Sequence, residues 1–177
     1  MFLNNKYTMK YFIIILSVIS FANVFAQDEP ISAFLEKWEN SKKYLLELAE
    51  AMPEDKYNFK PTEREMDFGE QLLHIKVNMD WLSTSYFGAE KIEKPKEAST
   101  YTKAEIITFL ETSFNAVSKA IETTKPKSLK EKVDFFAGPK TKLQILNLLQ
   151  DHVTHHRGQI IVYLNLNEIK PPKYVGW

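Results

Sequence analysis

Apolar residues recur along the chain in steps of three and four, the spacing that lines one face of an α-helix. From about Pro30 to Met52, Ile31, Phe34, Leu35, Trp38, Leu45 and Leu48 supply one stripe; Pro30 suits an opening turn and Pro53 ends the run. From about Gly69 to Phe87, the residues Phe68, Leu72, Ile75, Met79, Leu82 and Tyr86 alternate like the seam of a bundle. A third helix opens with Thr102-Lys103-Ala104-Glu105, in which hydroxyl and carboxylate can each satisfy an orphan amide; it carries Ile106, Leu110, Val117 and Ile121, and Pro126 closes it. The fourth opens with a similar pattern, Thr141-Lys142-Leu143-Gln144, and reaches about Asn167 before Pro171-Pro172 forbid further helix. No stretch shows sustained period-2 alternation, so the pattern predicts an all-α domain of four helices. The connections 53–68 and 125–140 are long for hairpin turns and allow helices to be joined across the bundle rather than in strict up-and-down order.

A different pattern precedes these helices. Met9-Lys10, the apolar run Tyr11 to Phe21 and the exit Val24-Phe25-Ala26 form a secretory signal, with cleavage expected after Ala26. The apolar run is too short for a comfortable membrane span. The expected organisation is residues 1–26 as signal peptide and residues 27–177 as one domain. The mature protein is then exported, periplasmic or secreted, without stable membrane association. No cysteine follows the cleavage site, so a lipid anchor is excluded.

Composition sharpens this picture by subtraction. The 177 residues are 44% hydrophobic and 13% aromatic, enough for a single core. Basic and acidic residues both number 23, and loss of Lys6 and Lys10 with the leader leaves a formal charge of −2. Such a chain lacks the basic surplus needed to neutralise phosphates, so no nucleic-acid partner is expected. With no cysteine, disulfides, thiolate ligands and catalytic thiols are also excluded.

The chemistry left concentrates on histidine. All four histidines fall in the second and fourth helices, three of them within Asp151-His152-Val153-Thr154-His155-His156-Arg157-Gly158-Gln159. Two imidazoles one turn apart can reach the same point, which His152 and His156 satisfy and His152 and His155 also could. The stripe Ile145, Leu149, His152, His156, Gln159, Tyr163 and Leu166 points His156 inward and leaves His155 at the bundle edge. A third ligand would have to be His74. Periodicity places His74 on the flank of its helix, on a stripe with Gln71, Asn78 and Trp81, and leaves its direction open.

In its joint features the chain resembles the DinB-like superfamily of metal-dependent four-helix bundles. The features are Met52 to Pro61, Phe68-Gly69-Glu70-Gln71-Leu72-Leu73-His74-Ile75, the Asp151 to Gln159 segment and Pro171-Pro172-Lys173-Tyr174. The resemblance implies a four-helix bundle with a variant of up-and-down connectivity, often a homodimer. It implies metal ligands at His74, His152 and His156, with positions open for water or an unknown small-molecule substrate. Zinc is the default ion, and nickel, iron or manganese suit the same ligands. Characterised relatives include transferases and isomerases that use a low-molecular-weight thiol. An exported protein meets no cytoplasmic thiol pool, whereas hydrolysis needs none. The expected function is therefore a metal-dependent hydrolase or a thiol-type transferase, with a non-catalytic metal- or ligand-binding bundle as the alternative. No catalytic residue beyond the ligands is identified.

Other residues carry lesser expectations. Asp151 could accept a hydrogen bond from an imidazole or stand as an exposed helix carboxylate, and Arg157 could bind an anion or, as such arginines more often do, cap or bridge helices. Gly158, costly inside a helix, suggests a close neighbour there. Core packing is expected for Trp38, Trp81, Tyr163 and Phe135-Phe136.

Overall fold

A computed structural model describes residues 29–176; the expected leader, its cleavage site and Trp177 lie outside them. Helix α1 occupies residues 29–51, α2 Phe68–Phe87, α3 Lys103–Glu122 and α4 Lys142–Leu166. The described chain is thus mostly helical.

The helix starts are written in side-chain chemistry. Thr102 caps α3 and Thr141 caps α4, each accepting from the backbone N–H three residues on while Glu105 or Gln144 reaches back. Helix α2 starts one residue before its expected first residue and has the same device, which was not expected there: the Asp67 carboxylate accepts from Glu70 N–H, and the Glu70 carboxylate accepts from Asp67 N–H, both at 2.7 Å. Gly88 ends α2 in the left-handed conformation, φ 73°, where a β-carbon would be strained. Helix α3 stops at Glu122, four residues short of the proline expected to close it. The hydroxyls of Thr123 and Thr124 donate to the Ala120 carbonyl and compete with further helix.

Between α3 and α4 two short strands pair, a feature too brief to show as alternation. Strand β1 (Lys132–Val133) runs antiparallel to β2 (Lys140–Thr141), Lys132 opposite Thr141. Among the described residues no helix is long and apolar enough to cross a membrane.

Helix α2 packs against α3 and α4. Helix α1 meets α3, where the buried Trp38 indole donates to the Phe114 carbonyl at 3.1 Å. It meets α4 as well, where Gln150 Nε2 donates to Ser41 Oγ at 3.0 Å. Trp38 lies between Phe34 and Phe114, ring centroids 5.2 and 4.7 Å away. With Phe68, Leu72, Met79, Leu110, Leu149 and Ile160 it fills one continuous core. Two aromatic residues depart from the expected packing: Trp81 is 40% exposed and Phe136 83%. Trp81 stacks on Phe135 at 5.8 Å beside the β1–β2 loop; Phe135 packs against the core, and Trp81 and Phe136 lie on its outer side.

Candidate metal centre

The candidate site is built from the facing sides of two antiparallel helices. On α4, His152 and His156 stand one turn apart and point to one side. On α2, Gln71 lies opposite His156 and Tyr163, and His74 lies opposite His152. Nε2 of His74 and Nε2 of His152 are 3.1 Å apart. His74, His152 and His156 each offer a nitrogen such that all three lie within 4.8 Å of one another. His155 faces solvent and is outside this group, its ring 4.9 Å from that of His156.

The His156 ring is held by its back nitrogen. Nδ1–H donates to Gln71 Oε1 at 2.7 Å and to Gln159 Oε1 at 2.8 Å. Amide orientation is often ambiguous, but here the far end decides it. Gln71 Nε2 donates to the Tyr163 hydroxyl at 3.3 Å, and that hydroxyl donates to the Met66 carbonyl at 2.8 Å. The carbonyl of Gln71 must then face His156, which puts the proton on Nδ1 and leaves Nε2 a free lone pair.

Electrostatics keep the cluster neutral. Burial pulls the His152 pKa down from 6.5 to about 3, with help from His156, His74 and His155. Burial and His74 lower His156 to about 4, opposed by Gln159. Burial lowers His74 as well. Protonating one imidazole would place a cation in a partly desolvated site beside two other rings.

These residues fit a divalent ion. Two nitrogens about 2.05 Å from one tetrahedral ion stand about 3.3 Å apart, close to the His74–His152 separation. At that separation two lone pairs repel unless a proton or a cation lies between them. Neutral imidazoles with lone pairs directed inward are the form that metals bind.

The structure decides three lesser expectations, and overturns the one made for Gly158. Asp151 is exposed and makes no hydrogen bond to a histidine among the described residues; amide oxygens take that role. Gly158 has nothing within 4 Å of the place a β-carbon would occupy, so no close neighbour explains it. Arg157 bridges helices: it is buried, donates to Ser41 Oγ at 3.4 Å and lies 5.3 Å from the Tyr44 ring centroid. Gln71 was visible in the sequence only as a neighbour of His74. A polar residue three positions before a histidine, on the same stripe, was the available signal.

A model of the DinB family matches residues 23–174. The chain belongs to the DinB family. The uncharacterized protein YjoA of Bacillus subtilis (strain 168) is 28% identical over 129 residues, 67% of this chain and 78% of that protein. The crystal structure of that DinB-like protein superposes with a TM-score of 0.67 at 20% identity, covering 80% of this chain and 96% of the other. A DinB-like protein from Bacillus cereus ATCC 10987 superposes with a TM-score of 0.70 at 19% identity, covering 81% and 97%. At these identities the two structures establish a shared DinB fold.

Proposed function

We propose that this protein is a metal-dependent enzyme of the DinB family in which His74, His152 and His156 hold one divalent ion, zinc by default, and that its reaction is a hydrolysis. The observation that carries the reading is the convergence of three neutral imidazoles, one of them fixed in its ligating tautomer by Gln71 and Gln159. A bound ion would act as a Lewis acid and polarise a substrate oxygen. The protein's own residues direct Nε2 of His156 inward and keep a second proton off each of the three rings. Half-buried His74 and His152 leave the cluster reachable from solvent. Export belongs to the same proposal, because hydrolysis requires no thiol cosubstrate.

A second reading, a bundle that retains the ion without turnover, has one observation in its favour. His156, the ligand at the end of the hydrogen-bond chain, is only 8% exposed, which leaves little open space for a substrate on that side of the ion.

The test is metal analysis of protein purified without chelators or a nickel column, followed by assay of ester, amide and phosphoester substrates. About one ion per chain, with turnover lost in His152→Ala, is the expected result. An ion retained without turnover on any substrate selects the second reading. Absence of the ion from protein refilled with zinc, nickel, iron and manganese in turn overturns both.

A further inference from the structure

The two α4 histidines of the cluster, His152 and His156, are supported unequally. Nδ1–H of His156 has two amide oxygens, whereas Nδ1 of His152 is buried and has no hydrogen-bond partner. If Nε2 of His152 presents its lone pair to an ion, Nδ1 must carry the proton, and a buried N–H without an acceptor forfeits its hydration with nothing in return. Ligating histidines almost always donate this second proton to a carboxylate, a carbonyl or water.

Four acceptor oxygens are buried without partners among the described residues: Asn78 Oδ1, Asp80 Oδ1, Ser113 Oγ and Gln150 Oε1. Position separates them. Asp80 belongs to the ion pair with Lys76, and six residues from His74 is off its helical face. Ser113 sits on α3. The Gln150 amide is engaged by Ser41 on α1. Asn78 alone shares the His74 stripe, one turn along α2, where side chains four apart have β-carbons about 5–6 Å from each other. Because α2 and α4 are antiparallel, the order Gln71, His74, Asn78 runs past His156 first and the His152 side next.

We propose that Asn78 is the positioning residue of His152: its Oδ1 accepts the Nδ1 proton when the three histidines close on an ion, as Gln71 Oε1 does for His156. The inference rests on the metal reading above and adds a residue to it. Helix α2 then supplies one ligand and two amides, spaced three before and four after it, so that His152 and His156 each have their own acceptor. In the structure the two orphan atoms are not bonded to each other; loading the site brings them together.

The experiment is a zinc competition titration against a chromophoric chelator on the whole expected domain, residues 27–177, comparing wild type, Asn78→Leu and Asn78→Asp. Ring ¹⁵N and Asn side-chain ¹³C spectra of the wild type are recorded with and without zinc. Asn78→Leu should bind zinc about 10- to 100-fold more weakly, the usual cost of losing such a partner. Asn78→Asp, which retains an acceptor, should restore binding to within a few-fold of wild type. In the wild type, zinc should shift the Asn78 carbonyl signal and slow exchange of the His152 Nδ1 proton. This readout stands even if Asn78→Leu fails to fold. Unchanged affinity in Asn78→Leu, or an Asn78 carbonyl signal unmoved by zinc, overturns the role of Asn78 and leaves the metal site standing. A wild type that binds no zinc and no other divalent ion overturns both.

Discussion

Helix α4 buries polar groups on two faces, and the two solve the problem differently. Toward α2 it presents His152, His156, Gln159 and Tyr163; toward α1 it presents Gln150 and Arg157. The α2 side is uncharged and directional: each hydrogen bond along Met66, Tyr163, Gln71 and His156 fixes the next, and the chain ends in a free lone pair. The α1 side keeps a guanidinium out of water with one long hydrogen bond to Ser41 and the Tyr44 ring, and no carboxylate pairs with it among the described residues. Convergence on one point distinguishes a ligand site from polar packing. Burial alone does not, since both faces have it.

The sharpest way to break this contrast is to cut the directed chain. Gln71→Leu should weaken divalent-ion binding about 10- to 100-fold by releasing the His156 ring, measured by competition titration. Unchanged affinity would mean that Gln159 alone sets the tautomer.

The pH dependence of the metal-free protein probes the neutral face next. The three histidines have folded pKa values depressed below 6.5, to about 3 for His152 and about 4 for His156. Between pH 6.5 and 4 the unfolded chain therefore binds protons that the folded chain excludes. Their contribution to stability is present above pH 6.5 and is lost as pH falls through that window. Each histidine contributes at most about 1.4 kcal/mol per pH unit, reduced here by partial exposure. Denaturant melts in the chelated state should show the decline in wild type and a shallower one in His152→Gln.

The smallest effect is expected on the α1 face. Arg157→Met keeps the apolar stem and removes an unpaired buried charge, so stability should change by less than about 1 kcal/mol or rise. Zinc affinity should match wild type. A tenfold loss of affinity would show that the two faces act as one network.

Much of this architecture was legible from residue types. The capping pairs Thr102–Glu105 and Thr141–Gln144 announced two helices, and the inward stripe of α4 separated His156 from His155. The direction of His74 was not legible from periodicity, and only the family resemblance placed it among the ligands, because α2 packs against both α3 and α4 and its apolar seam serves the core. A residue on the flank of that seam faces the second neighbour, which periodicity in one helix does not reveal. Gly158 and the exposed pair Trp81 and Phe136 misled for a related reason: composition reports what a residue can bury, whereas exposure depends on which element covers it.

The central claim is that His74, His152 and His156 bind one ion in the folded state only. It is tested most directly by the difference in unfolding free energy between zinc-loaded and chelated protein, compared across wild type, His155→Ala and His156→Ala. At a hundredfold excess of free zinc over the dissociation constant the increment should be about 2.7 kcal/mol in wild type. It should be nearly the same in His155→Ala and almost absent in His156→Ala. Comparing loaded with chelated protein removes the cavity that His156→Ala leaves in both states. Loss of the increment in His155→Ala with retention in His156→Ala would contradict the account.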